Sequence, residues 1–269
     1  MFGNLFRRPG RPLRRRTVRL PDDTVVWAIG DVHGRRDLLE PLVAELLADL
    51  SRSPARRKVV VFLGDYVDRG PESCGVIELL ACLPGAHPFE FHFLRGNHED
   101  RMEAFLTDPS VGPSWCDYGG REALLSYGID APVRRDDLEG WAITSQALNR
   151  AMKEAHKTFL ANQEMSLGIG DYFFTHAGAK PGVPLESQSK HDLMWVRQLF
   201  LDDPRPFDRV VVHGHTPTEK VHIDHRRIGV DTGAYATGVL TALRLEGESR
   251  WLLQTAKFGG GVELSLRAA

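Results

Sequence analysis

Apolar residues along this chain alternate between two periodicities. Thr24-Val-Val-Trp-Ala-Ile29 is short, β-branched and aromatic, and Pro21-Asp22-Asp23 and Gly30 bound it, which predicts a buried strand. Leu38, Leu39, Leu42, Val43, Leu46 and Leu47 then recur at helical spacing until the breakers from Ser51 to Pro54. Lys58-Val-Val-Val-Phe-Leu63 reads as a second strand, Ser73 to Leu83 as a helix ended by Pro84-Gly85, and Phe89 to Leu94 as a third strand. This βαβαβ order predicts parallel strands, with ligand-binding loops gathered outside their carboxyl ends.

From Arg101 to about Gln163 the pattern turns helical and irregular, which predicts a cap inserted into the fold. Strand patterns return at Tyr172 to Thr175, Val210 to Val212, Arg227 to Val230, Leu240 to Leu245 and Trp251 to Leu253. Their shortness and close spacing predict an antiparallel second half and two facing sheets. No internal repeat or long low-complexity tract interrupts this order.

At 269 residues, the chain is long enough for one α/β domain with a full core. Its three cysteines, Cys74, Cys82 and Cys116, form no CxxC pair, which argues against a disulfide framework or a cysteine zinc site. With no apolar run approaching a membrane span and no signal-peptide pattern, a cytoplasmic location is expected. Residues 1 to 21 hold seven arginines and no acid, so the remainder carries about −9 of the formal net −2. A negative body argues against a duplex-binding enzyme. Residues 1–21 are predicted to be a flexible, solvated tail preceding a domain at 22–269, with docking to nucleic acid, anionic lipid or an acidic partner as the alternative.

Five predicted strand ends carry side chains able to bind metal. They are Asp31 and His33, Asp65 and Asp68, Asn97 and His98, His176, and the pair His213 and His215. Two divalent ions call for imidazole nitrogens, carboxylate or amide oxygens, and one carboxylate able to bridge them. Glycines at 30, 34, 64, 70, 96, 178 and 214 surround these positions and permit sharp exits from strands. A lone histidine is more often structural than a ligand, and His87, His92, His156, His191, His222 and His225 are read that way. Five such ends in one chain favour a metal centre.

Gly30-Asp-Val-His-Gly34, Gly64-Asp-Tyr-Val-Asp-Arg-Gly70 and Gly96-Asn-His-Glu99 match the GDxHG, GDxVDRG and GNHE pattern without a substitution. In this the chain resembles the phosphoprotein phosphatase family of calcineurin-like metallophosphoesterases. By motif order the resemblance covers about residues 24 to 245. Trp115, Gly119-Gly120 and Ser126-Tyr-Gly128 are similar to the shorter bacterial branch near diadenosine tetraphosphatase. The resemblance implies a four-layer α/β/β/α sandwich of two mixed sheets with a helical cap at about 101–163. It implies Asp31, His33 and Asp65 on a first metal, with Asp65 bridging to a second completed by Asn97, His176 and His215. Manganese is the first expectation for both ions, with iron or zinc admitted.

Where wider metallophosphoesterases end in GHxH, this chain has Gly214-His-Thr-Pro217, so water would fill the first site. His213 is left between a ligand and a structural role. The implied reaction is direct attack on phosphorus by a hydroxide bridging two metals, without a covalent intermediate. His98 would protonate the leaving group and Asp68 would orient it. Arg69 and Arg197 would clamp the phosphoryl oxygens, with Asn97 and Arg95 as further contacts. For Arg95, bracing of its loop by a salt bridge is an equal alternative.

The expected function is a serine/threonine protein phosphatase acting on a phosphoprotein or small phosphorylated substrate. Symmetrical diadenosine tetraphosphate hydrolysis and broad-specificity phosphoesterase activity are the alternatives, and a non-catalytic phospho-ligand binder is a more distant one. His33 and Glu99 follow the protein-phosphatase pattern, where tetraphosphatases carry glutamine and aspartate.

Overall fold

The computed structural model describes residues 17–269. Strand β1 (Thr24–Ile29) is buried along its whole length, and its two faces serve different cores. Val25, Trp27 and Ile29 pack toward helices, whereas Val26 and Ala28 pack toward a second sheet. That two-residue alternation, with both faces apolar, is what a strand inside a four-layer sandwich requires.

Helix α1 (Arg36–Arg52) buries Leu38, Leu39, Leu42, Val43, Leu46 and Leu50, and ends as Ser53 turns extended before Pro54. It leads into β2 (Arg57–Phe62), α2 (Ser73–Ala86) and β3 (Glu90–Phe93). Strands β1, β2 and β3 pair in parallel, as the βαβαβ pattern predicts. Helix α2 runs through Pro84 to Ala86. A proline in the final turn costs hydrogen bonding where the helix is already ending.

Helices α3 (Asn97–Thr107), α4 (Gly112–Trp115), α5 (Arg121–Ser126), α6 (Leu138–Ala151) and α7 (Glu154–Ala161) follow. They form the predicted helical insertion, but they are rooted in the main core. Phe105, Trp115, Trp141 and Leu148 belong to the same apolar cluster as Trp27 and Phe62.

The second sheet has the order β4 (Ser166–Ile169), β5 (Tyr172–Thr175), β6 (Val210–His213), β8 (Arg227–Gly229) and β7 (His222–Ile223). Its centre is parallel, with β5 beside β6 and β6 beside β8, and only the edge pairs are antiparallel. The expected antiparallel second half therefore needs correction. Helices α8 (Lys190–Trp195) and α9 (Gln198–Leu201) form the crossover between β5 and β6, and a crossover returns the chain in the same direction.

After α10 (Ala234–Thr237), the antiparallel run β9 (Val239–Glu246), β10 (Ser249–Phe258) and β11 (Gly261–Ala268) joins the first sheet. Strand β9 pairs with the free side of β1. The result is two mixed sheets, with helices outside each.

The ordered body begins before Asp22. Leu20 is fully buried, its N–H donates to the Gly247 carbonyl, and the Arg19 and Asp171 backbones are joined by a hydrogen bond. Of the seven arginines expected in a tail, only Arg19 falls within the described residues. Among those residues no helix is long and apolar enough to cross a membrane.

Candidate metal centre and catalytic cleft

The carboxyl ends of β1, β2, β3, β5 and β6 converge on one buried cluster. Backbone strain marks the place, since His33, Asp65, Asp68, Arg69 and His215 all have left-handed φ between 47° and 73°. Such conformations cost free energy in residues with a Cβ and collect where function demands them. Gly64 goes further, at φ 103°, and a Cβ there would lie 2.8 Å from His176 Nδ1.

Asp65 is the hub. Its Oδ2 lies 3.6 Å from His33 Nε2 and 3.9 Å from His98 Nε2, while Oδ1 lies 3.4 Å from His176 Nε2. Two compact donor groups result, His33/Asp65/His98 and Asp65/His176/His215, each with ligand atoms within 4.8 Å of one another. Asn97 Oδ1 joins the second at 3.0 Å from His176 Nε2. One carboxylate shared between two imidazole-rich groups is a donor set suited to a pair of divalent cations.

Histidine orientation is fixed from behind. The Nδ1–H groups of His33 and His176 donate to the carbonyls of Val67 and Leu63, both at 2.9 Å, so each Nε2 faces inward. Arg197 Nε donates to His215 Nε2 at 2.9 Å and leaves Nδ1 toward His176 at 3.2 Å. Burial pushes His33 down to about 3, and burial with His176 pushes His215 down to about 2. Both rings are therefore neutral at pH 7, the form in which imidazole binds metal.

Asp31 sits at the margin of these groups. Its carboxylate accepts the His215 N–H at 2.9 Å, with the Asp231 carboxylate nearby. Burial, with Asp231 and then Asp65 nearby, holds the Asp31 carboxyl well above its usual range, and burial raises Asp231 to about 6. Asp231, just beyond β8, is absent from the sequence-derived site. Its only local signal is its place after a short strand in Gly229-Val-Asp-Thr-Gly233.

His98 and Asp68 form a buried pair, with His98 Nδ1 2.7 Å from Asp68 Oδ2. Burial alone would lower the imidazole, but the Asp65 and Asp68 carboxylates outweigh it and hold His98 above its ordinary pKa. The same Asp68 oxygen accepts the indole N–H of Trp115 at 2.8 Å, and Arg69 N–H donates to the Gly119 carbonyl. The helical insertion thus grips the turn that carries the pair, through a π-helical stretch at Cys116–Gly120.

Glu99 supports the second and third loops together. Its carboxylate accepts backbone N–H groups from Asp65, Tyr66, Val67 and Gly96 at 2.8 to 3.2 Å.

A cavity of about 300 Å³ opens over this cluster, lined by Arg69, Asn97, His98, Arg101, Trp115, Tyr118, Trp195 and Arg197. Arg69 spans His33 and His98 at 3.1 and 3.2 Å and stacks over Tyr235 at 4.5 Å. Arg101 lies over Trp195 at 5.1 Å. Arg101, Tyr118, Trp195 and Tyr235 are additions to the expected site. Arg101 lies two residues past Glu99 and Tyr118 adjoins Gly119-Gly120, but no motif includes any of the four, and chain folding brings them together.

Two expected residues lie apart. Arg95 is paired with Glu103 and Asp100 and donates to the Leu160 carbonyl, outside the cavity lining, which is the bracing arrangement. His213 uses Nδ1 on the Gly214 carbonyl at 2.9 Å, has Nε2 3.2 Å from Arg227, and packs edge-on to Phe200. Both of its nitrogens are occupied away from the donor groups.

Residues 24–244 match the calcineurin-like phosphoesterase family. The chain is 27% identical over 238 residues to the asymmetrical bis(5'-nucleosyl)-tetraphosphatase PrpE of Halalkalibacterium halodurans, covering 80% of this chain and 88% of that protein. It is 42% identical over 110 residues to the serine/threonine-protein phosphatase PP2A-like PPG1 of Saccharomyces cerevisiae, covering 40% and 27% respectively. A solved structure of a putative diadenosine tetraphosphatase superposes with TM-score 0.56 at 20% identity, covering 92% of this chain and 94% of that one. A cold-active protein-tyrosine phosphatase from Shewanella gives TM-score 0.56 at 17% identity, covering 92% and 82%. At such identities the two structures speak to the fold, which they share.

Proposed function

Because the chain belongs to the calcineurin-like phosphoesterase family and is a metallophosphoesterase, we propose that it hydrolyses phosphate monoesters, with phosphoserine and phosphothreonine in proteins as its substrates. The observation carrying the reaction is the shared Asp65 between two donor groups, directly beneath an arginine-lined cleft. Asp31, His33 and Asp65 would hold one divalent cation, and Asp65, Asn97, His176 and His215 the other. When bound, such a pair supplies Lewis acidity and activates water for in-line attack at phosphorus.

The protein's own groups then divide the remaining work. Arg69 and Arg197 border the cleft from opposite sheets and would hold the non-bridging phosphoryl oxygens, where guanidinium can bond two oxygens at once. Arg69 stacks over Tyr235, and Arg197 Nε donates to His215 Nε2, which positions both beside the cluster before substrate arrives. His98 would deliver a proton to the departing alkoxide. Its raised pKa keeps that proton available at neutral pH, and Asp68 holds Nδ1 so that Nε2 faces the cleft. His33 and Glu99 support the protein-phosphatase reading, since both follow that pattern.

A second reading, hydrolysis of dinucleoside polyphosphates, is favoured by Arg101 and Trp195. A third cleft arginine beside an indole suits an additional phosphate and a stacked base, and the PrpE relatives carry a tetraphosphatase name.

Turnover of a phosphoserine peptide, a phosphotyrosine peptide and diadenosine tetraphosphate with manganese separates these readings. The phosphoserine peptide is expected to have the highest kcat/KM, with kcat falling about a hundredfold or more in His98→Ala. Exclusive cleavage of the tetraphosphate transfers the assignment to the second reading. Undiminished activity in His98→Ala removes the proposed acid.

A further inference from the structure

Strand β11 ends one side of the first sheet and, among the described residues, has no strand beyond it. An edge of this kind presents a row of unpaired N–H and C=O groups, which proteins usually blunt with proline, inward charges or short length. This one is eight residues long, contains no proline, and exposes Leu264 (46%) and Leu266 (62%).

Its backbone phase can be read from the hairpin. Phe258 faces Gly261 across the Gly259-Gly260 turn, and the Ala269 N–H donates to the Arg250 carbonyl. Bonded and non-bonded pairs alternate along an antiparallel ladder, so odd positions of β11 aim their backbone groups at β10. Val262, Leu264, Leu266 and Ala268 therefore aim theirs at the open edge. Faces follow from the partners. Leu266 is opposite Leu253, which belongs to the core beneath α1, so both leucines lie on the α1 side. Glu263, Ser265 and Arg267 lie on the other.

We propose that β11 pairs antiparallel with β11 of a second copy, about a two-fold axis at Ser265. In that register Leu264 meets Leu266 of the second copy through their outward backbone groups, and Val262 meets Ala268. Glu263 then meets Arg267 at the non-hydrogen-bonded position, where cross-strand side chains approach most closely. Symmetry makes that ion pair twice, as an isologous contact requires. Sliding by one pleat sets Glu263 against Ser265 or Ala269 and loses both pairs. The charge pattern therefore selects a second copy in one register, and the four leucines form a continuous apolar strip beside the two α1 helices. No cleft-lining residue lies on β10 or β11, so the catalytic cleft stays open in the dimer.

Sedimentation velocity tests this on the full chain. A strand-to-strand contact is small, so the mass is expected to rise from 30.1 kDa toward twice that value between about 1 and 100 µM. Glu263→Arg sets like charges opposite each other twice and should weaken dimerisation at least about tenfold. Arg267→Glu should do the same, and the double variant Glu263→Arg/Arg267→Glu should restore it. Leu264→Lys/Leu266→Lys should also give monomer, with circular dichroism and melting temperature reporting that each variant is folded. A wild-type chain monomeric throughout that range overturns the proposal. So does a dimer indifferent to the single charge reversals, or a double variant that stays monomeric.

Discussion

The loops after β1, β2 and β3 and the loops after β5, β6 and β8 meet at one cluster but are held there in different ways. Those of the first sheet support each other. Val32 and His33 donate backbone N–H groups to the Asp65 carbonyl, Glu99 gathers four more, and Trp115 secures Asp68. Those of the second sheet are tied to each other by fewer bonds, Gly214 N–H to the His176 carbonyl and Thr218 N–H to the Asp231 carbonyl, and their metal-facing groups lean on the first. His176 is aimed by the Leu63 carbonyl, and the His215 backbone is anchored on Asp31. The comparison teaches that the first sheet carries a preorganised half-site, while the second donor group exists only as long as the sheets stay in register. Asp65 is the residue on which both halves depend.

Breaking that shared point should have the largest effect. Asp65→Asn would remove the proposed link between two cations whose Lewis acidity is worth several kcal/mol to transition-state stabilisation, and at about 1.4 kcal/mol per decade this predicts a loss of about a thousandfold or more in kcat. Steady-state hydrolysis of p-nitrophenyl phosphate with manganese measures it. A loss under tenfold would remove Asp65 from the centre of the account.

Asp231→Asn probes the second sheet's dependence on the first, because the Asp231 carboxylate, anchored by the Gly233 N–H, lies beside Asp31. Replacing a group that orients a ligand typically weakens metal affinity about ten- to a hundredfold, so manganese titration should show that shift, with kcat largely recovered at saturating metal. A kcat that stays low at saturation would mean that Asp231 does more than orient Asp31.

The smallest expected change is a shift along the pH axis. Asp65 and Asp68 raise the pKa of His98 in the folded protein, so its protonated form persists above the ordinary imidazole range. Asp68→Asn removes one of those charges, lowers that pKa and moves the alkaline limb of kcat to lower pH. An unmoved alkaline limb in a pH–kcat profile would separate His98 from proton delivery.

How much of this was legible in the sequence follows the same division. The half-site on the first sheet is written in contiguous motifs, so Asp31, His33, Asp65, Asp68, Asn97 and His98 could be read directly, along with β1, α1 and β2. His176 and His215 were visible as histidines following apolar strands. Asp231 was not, although the strand before it was read, because it belongs to no motif and its partner Asp31 lies two hundred residues away. Arg101 and Trp195 meet only through the packing of the insertion against α8, which no local pattern encodes. The pairing of the later strands was misread for a related reason. Short strands look alike whether a hairpin or a crossover joins them, and the crossover here is made of short helices. Strand β11 belongs with what went unread, although its apolar positions Val262, Leu264 and Leu266 alternate with polar ones on the α1 side.

The central claim is two cations sharing one carboxylate, and anomalous diffraction from crystals grown with manganese tests it most directly. The account predicts two peaks, one bounded by Asp31, His33 and Asp65 and the other by Asp65, Asn97, His176 and His215. A single peak, or two peaks with Asp65 bound to only one of them, would contradict it.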